Sequence, residues 1–407
     1  MILEDVAGWQ YPALGDICDV RDGTHDSPKY VEDGFPLITS KNLTEDGLCF
    51  EKVSYISQED HDAIEKRSAV SDGDILYGMI GTVGNPVIVK KDRDFSVKNV
   101  AIFKFLEESL IFNKYLFYVL SSDFVGRQIS KESKGGTQKF VSLKVLRGLK
   151  IPLPPLETQK QIAAVLEKAD QLRKDCQQME QELNSLAQSV FIDMFGSKAS
   201  GYPEWSLHRI EELAESKKGS MRTGPFGSDL KHSEFVDEGI AVIGIDNAVK
   251  NEFTWGERRF ITPEKYEKLK RYRVYPRDLI ITIMGTTGRI AVIPDDIPLS
   301  ISTKHLAVIT LDKEKVVPEF LAIAIKTHPD LLNQILDSNK GAIMDGLNLG
   351  LIKALSLRLP PLDLQLEYLA VLKVIHDRIS ESRLSHNQYH ELFNALMQKA
   401  FKGELDL

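Results

Sequence analysis

The chain has 407 residues, 43% hydrophobic and 27% charged, a globular balance with length for two to three cores. No run approaches the roughly 18–20 apolar residues that span a bilayer, and the start Met1-Ile2-Leu3-Glu4-Asp5 lacks a basic-then-apolar leader, so no membrane segment or signal peptide is expected. The net charge of −8 neither demands nor excludes a nucleic-acid partner.

Gly, Pro, Asn and Asp punctuate the first 150 residues. Between them, Phe35–Thr39, Asp74–Ile80, Val87–Lys90 and Val100–Phe105 carry the β-branched character of strands. Short helices are predicted at Gln58–Lys66 and Asn113–Ser121. A long helix follows Pro154-Pro155, because proline fits a first turn and acidic Glu157 suits the positive helix end; Gly196 stops it. The next 160 residues repeat the mixed pattern, with helices at Pro263–Arg271 and Pro318–Thr327. A second long helix runs from about Asp363 to Lys402 and stops at Gly403.

The second half repeats the first with a period of about 205 residues. Ile151-Pro152-Leu153-Pro154-Pro155-Leu156-Glu157-Thr158-Gln159 matches Leu357-Arg358-Leu359-Pro360-Pro361-Leu362-Asp363-Leu364-Gln365. Gly73-Asp74-Ile75-Leu76 matches Arg277-Asp278-Leu279-Ile280. The runs 34–42 (GFPLITSKN) and 239–247 (GIAVIGIDN) correspond, as do Lys98-Asn99 and Lys304-His305. The order never scrambles. The division expected is 1–156 and 197–360 as two compact modules, with 157–196 and 361–407 as helical spacers. Their charges are −4, +1, −3 and −2 respectively, so the acid excess falls on the first module and the helices. The second module holds the basic cluster Lys265, Lys268, Lys270, Arg271, Arg273 and Arg277, which reads equally well as a solvated face.

Apolar residues in the first long helix alternate steps of three and four: Ile162, Val165, Ala169, Leu172, Cys176, Met179, Leu183, Leu186, Val190. That is a heptad seam. The second helix offers Tyr368, Leu372, Ile375, Ile379, polar Ser382 and His386, then Tyr389, Phe393 and Leu396. Antiparallel pairing of the two would give a pseudo-twofold coiled coil. Thirty-five helical residues measure about 50 Å, or roughly fifteen base pairs of B-DNA.

This pattern of module, Pro-Pro-started helix, module, Pro-Pro-started helix resembles the specificity subunit of type I restriction–modification systems over essentially the whole chain. The residues that carry the resemblance are the two helix starts, IPLPPLETQKQIAAVLEKAD and LRLPPLDLQLEYLAVL, and the closing Ala400-Phe401-Lys402-Gly403-Glu404-Leu405. Thr158 and Leu364 stand where such starts often carry an acidic residue. Met79 and Ile283 stand where a basic residue is common. The resemblance implies an α+β fold, with two tandem mixed α/β target recognition domains separated by two long paired helices. It also implies a bipartite duplex DNA site and two docked methyltransferase subunits. Restriction–translocase subunits join where the system cleaves. S-adenosylmethionine would belong to the methyltransferase, and ATP and Mg to the nuclease partner. This chain would carry no cofactor or metal and would work in the cytoplasm, as the unpaired spacing of Cys18, Cys49 and Cys176 also suggests.

DNA contacts are sought in loops rich in Gly, hydroxyls, amides and bases. In the first module these are Gly23-Thr24-His25, Lys41-Asn42, Lys98-Asn99 and Lys134, Gly136, Thr137 and Gln138. In the second they are Arg222-Thr223, Phe226, Ser228, Asn247, Lys304-His305 and Lys340. The loops at Gly81 and Gly285 read as strand turns or phosphate cradles, without the Gly-Lys-Ser/Thr of a P-loop. No Asn/Asp-Pro-Pro-Tyr methyltransferase tetrapeptide is present, and the acid pairs Asp72/Asp74 and Asp295/Asp296 fall in turn-like segments. A non-catalytic recognition subunit is therefore expected; the alternative is a nuclease or methyltransferase with degenerate motifs.

Overall fold

The computed structural model describes residues 6, 8–105, 109–132, 140–226, 229–338 and 347–407. The chain divides into two compact units: residues 1–177 with 383–407, and residues 178–382. Each unit therefore takes in part of both long helices, Leu156–Phe195 and Leu362–Ala400.

Unit 1 contains an antiparallel sheet ordered Asp19–Asp22, Val100–Lys104, Ile75–Gly78, Gly84–Ile88. A second sheet is ordered Ser54–Ile56, Phe35–Ile38, Ser96–Val97, with its last two strands parallel. Unit 2 repeats both. Its first sheet is Met221–Thr223, Leu306–Ile309, Leu279–Thr282, Ile290–Val292. Its second is Phe260–Ile261, Ile240–Ile243, Ser300–Ser302, with Arg273–Val274 added at the edge. The registers correspond: Phe35 faces Ile56 as Ile240 faces Ile261. The sequence duplication is thus a duplication of topology.

Each unit buries its helix segments in the main core. In unit 1, Ile162, Ala163 and Leu166 of the first helix join Met397, Ala400 and Phe401 at the end of the second. In unit 2, Phe191 and Phe195 pack on Tyr368, with ring centroids 5.3 and 5.4 Å apart. The start of the first helix thus meets the end of the second, and its end meets the second's start, the order expected of antiparallel pairing.

The burial phase of the first helix corrects the expected seam. Buried and half-buried positions run Ile162, Leu166, Ala169, Arg173, Cys176, Glu180, Leu183, Ala187, Val190, Met194. Of the expected seam, Ile162, Ala169, Cys176, Leu183 and Val190 belong to it, and Leu172 is half-buried beside it. Val165 is 36% and Leu186 48% exposed, so neither is a seam residue. The run Ala163-Ala164-Val165-Leu166 fits two overlapping heptad phases, and packing selects Leu166. In the second helix Ile375 and Ile379 are buried and Leu372, Phe393 and Leu396 are half-buried, in the expected phase; polar Ser382 is buried with them.

One side chain fixes each helix start. Gln159, 1% exposed, accepts a hydrogen bond from Phe112 N at 2.8 Å and donates to Leu110 O at 3.0 Å and Pro154 O at 2.9 Å. Gln365, fully buried, accepts from Val317 N at 2.9 Å and donates to Lys315 O at 3.2 Å and Pro360 O at 2.9 Å. Each amide satisfies the N–H that opens the neighbouring helix, Asn113–Leu120 or Pro318–Thr327, and bonds two backbone carbonyls. Tyr115 adds a bond to Pro152 O at 2.8 Å in unit 1.

An orphaned buried polar group costs about 1–3 kcal/mol. Gln159→Ala and Gln365→Ala are each expected to destabilise their own unit by at least about 2 kcal/mol, against about 0.5 kcal/mol or less for the exposed Lys168→Ala. Urea unfolding of the three variants checks this; equal midpoints would remove the amide's role.

Candidate nucleic-acid interface

The two sheets of each unit meet at a close backbone crossing. At Gly23 an added Cβ would lie 2.2 Å from Val97 O, and at Gly224 one would lie 2.4 Å from Ser302 O. Only glycine fits either place. The crossing in unit 1 sets the loop after Gly23 beside the loop at Lys98, with Thr24 N bonded to Val97 O at 3.0 Å and Asn99 N to Thr24 O at 3.1 Å. Two of the predicted segments are thereby brought together.

His25 sits at the centre of this pair of loops. Its Nδ1 is 2.8 Å from Asn99 Oδ1 and its Nε2 is 2.8 Å from Asp22 Oδ2, while Arg67 bonds the other Asp22 oxygen at 2.5 Å. Two acceptors on one imidazole favour the doubly protonated ring. The bonds to Asn99 and then Asp22 raise the His25 pKa. Burial works against ionisation of Asp22, but the bonds from His25 and Arg67 outweigh it and hold its carboxyl below the ordinary value. Asn99 has a left-handed φ of 54°. Lys98 Nζ bonds Ser27 Oγ at 2.7 Å, and Lys41 is exposed. The result is a hydrogen-bonded set of polar and basic side chains of the kind that meet phosphates and base edges.

Unit 2 presents the same loops with different chemistry. Phe226 is 53% exposed where His25 stands in unit 1. Pro225, Lys304 and His305 line a cavity of about 290 Å³ together with Asp246, Arg259 and Thr303. Burial, then the charges of Lys304 and Arg259, lower the His305 pKa and favour the neutral ring.

Several candidates prove to be internal supports. Asn42 accepts from Thr39 N at 3.0 Å and donates to Cys49 O and Lys52 O at 3.1 and 3.3 Å. Asn247 accepts from Gly244 N and donates to Thr254 O, both at 2.9 Å. Both amides are spent holding their own loops and are buried, so neither reads a base. Arg222 is also withdrawn: 8% exposed, it bonds Asp278 at 2.6 Å, Thr310 Oγ1 at 3.0 Å and Arg273 O. Desolvation pushes the Asp278 carboxyl up, opposed by Arg222 and by bonds from Thr310 and Tyr275 N. Unit 1 does the same with Lys104 on Asp74, at 2.6 Å. Thr223 is half-buried on its strand. Lys134, Gly136, Thr137, Gln138, Ser228 and Lys340 lie outside the described residues.

The basic cluster of unit 2 is largely tied down. Lys265 pairs with Glu234, Arg271 with Asp229 and Arg277 with Glu319, at 2.7, 3.7 and 2.6 Å. Sequence reasoning passed over Arg259, whose partner Asp246 lies 13 positions away. It also gave no role to Gln159 and Gln365, although their repetition was in view. Among the described residues no group of three or more His, Cys, Asp or Glu could hold a metal. Asp72 and Asp74 instead accept backbone bonds from Lys91 and Ser71.

The family model for the type I restriction modification DNA specificity domain matches residues 7–185 and, again, 202–386. The chain belongs to that family. It is similar to the EcoBI specificity subunit of Escherichia coli, 23% identical across 92% of this chain and 81% of that one. It is also similar to the putative MjaX specificity subunit of Methanocaldococcus jannaschii, 22% identical across 98% and 93%. In fold it resembles a chain from a structural study of assembly and conformational transition in the type I system (TM-score 0.62, 18% identity, covering 99% and 100%). The S subunit from M. genitalium has a TM-score of 0.54 at 15% identity, covering 98% of each chain. Among the described residues no helix is long and apolar enough to cross a membrane.

Opposite pKa directions give a direct check. In an NMR titration His25 is expected to change protonation above the ordinary histidine value and His305 below it. Asn99→Ala should bring His25 down. Because the folded value of His25 is raised, any stability it contributes is full below the unfolded value and lost as pH rises through the folded one. A His25 midpoint at or below that of His305 would refute the network.

Proposed function

We propose that this chain reads a two-part, gapped duplex DNA site, one half per specificity domain, and presents it to methyltransferase subunits. The observation that carries the proposal is the duplication: the family domain occurs twice, and each copy sets the same two loops together at a glycine crossing. Basic groups such as Lys41, Lys98 and Lys304 hold phosphates, while the differing side chains, His25 against Phe226, read different bases.

The partner subunits supply the chemistry. Two methyltransferase subunits carry S-adenosylmethionine and extract the target adenine from the stack, a step that costs a few kcal/mol of stacking. Restriction–translocase subunits with ATP and Mg join where the system cleaves. Exposed apolar residues on the long helices suit docking of such partners: Val165, Met179 and Leu186 on the first, Val374, Leu384 and Leu392 on the second. The helices set the gap between half-sites.

Sequencing of adenine methylation in a host carrying this gene and its methyltransferase is expected to show a gapped two-part motif that vanishes on deletion of the gene. Lengthening the first long helix by one turn is expected to widen the gap and keep both half-sites. A motif that survives deletion sinks the function, and an unchanged gap sinks the spacing role.

A further inference from the structure

Unit 2 carries a charged pair at positions where unit 1 has none among the described residues. The pairing of Ile240 with Ile261 and of Phe35 with Ile56 aligns the two copies. On that alignment Asp246 and Arg259 of unit 2 correspond to Lys41 and Ser54 of unit 1. Asp246 follows the strand Ile240–Ile243 and Arg259 precedes its partner Phe260–Ile261, in the sheet that also holds Ser300–Ser302.

Arg259 Nη2 donates to Asp246 Oδ1. The carboxylate sits where two glycines leave room for it: a Cβ at Gly244 would lie 2.7 Å from Asp246 Oδ1, and one at Gly256 would lie 2.6 Å from Oδ2. Backbone therefore packs closely against both sides of the carboxylate, which in turn bonds the guanidinium. A merely structural ion pair would spend its remaining groups inside the protein, as Arg222 does on Asp278, Thr310 and Arg273. Here Arg259 Nε, Asp246 Oδ2 and Thr303 Oγ1 are buried yet have no partner among the described residues, so the pair is left less satisfied within the protein than Arg222 is. Both charged side chains are one-third exposed and line the 290 Å³ cavity between the two DNA-facing loops. Lys304 is exposed at the same cavity, where it can meet a phosphate, and His305 favours its neutral form there.

We propose that Arg259 reads a guanine in the half-site engaged by unit 2, with Asp246 as the positioning residue that holds its guanidinium in plane. The proposal rests on the DNA-reading role of unit 2. In the major groove guanine offers two acceptors, O6 and N7, spaced for the planar fork of an arginine; lysine offers a single rotating point charge. A fork held by a fixed carboxylate arrives already oriented, which favours one base over the others. Lys41 and Ser54 cannot form such a fork, so this guanine preference belongs to one half-site alone.

The test uses the chain in complex with its methyltransferase, acting on duplex libraries randomised across the site, with methylated products sequenced. The wild-type complex should require G·C at a position where Arg259→Ala and Arg259→Lys relax discrimination about tenfold or more. The other half-site and the gap should stay unchanged. Asp246→Asn should relax the same position to a smaller extent. If Arg259→Ala methylates nothing, the charge-retaining Arg259→Lys decides: relaxation at one G·C position supports the proposal, and an unaltered motif, loss of all methylation or changes in both half-sites overturn it. A wild-type complex that yields no two-part motif defeats the DNA-reading function itself, and this proposal with it.

Discussion

The architecture turns on a buried amide used twice. Gln159 and Gln365 each tie a Pro-Pro helix start to the helix of the neighbouring module through one accepted and two donated hydrogen bonds. A forty-residue helix is a long lever, and a small error in its entry angle grows along its length. Apolar packing alone is non-directional and would tolerate such errors. The glutamine supplies direction, because all its bonds must be made together or a buried polar group is left unpaired.

Beneath the loops, the two copies reach the same end with different residues. A buried aspartate stands at the start of the Ile75–Gly78 strand in unit 1 and of the Leu279–Thr282 strand in unit 2. Lys104 neutralises Asp74, whereas Arg222 with Thr310 serves Asp278. Position and burial are preserved while the cation has moved to another strand. Such supports free the loop tips to vary, since the strands beneath them are fixed by other means. The crossing glycines, by contrast, admit no substitute, because the obstacle is backbone on the opposite strand.

The duplication, the strand-rich modules and both long helices were legible in the sequence, because Pro-Pro starts, heptad spacing and terminal glycines act locally. Every second seam position of the first helix was not, since Val165 and Leu166 are both apolar and only tertiary packing distinguishes them. The contact residues were harder still. Asn42 and Asn247 looked like base readers because they sit in loops rich in amides and bases, yet the presence of asparagine in both copies marks a structural duty. Modules that read different half-sites share what holds the fold and differ in what meets the base. Under the proposed function, His25 against Phe226 and Lys41 against Asp246 are differences of that kind. Arg222 misled for another reason: nothing in its local sequence reveals that its charge is answered by Asp278, 56 positions away.

The division of the long helices also orders events during synthesis. Unit 2 is a continuous stretch, 178–382, whereas unit 1 is completed by 383–407. Tyr115 packs on Phe401, with ring centroids 5.9 Å apart, across the whole intervening unit. The module made first on the ribosome must therefore wait, with part of its apolar core uncovered, until the last turns of the last helix emerge, while the module made second can close earlier. A nascent chain of this kind exposes its N-terminal half longest, and a truncation near its end would damage the domain encoded at its beginning.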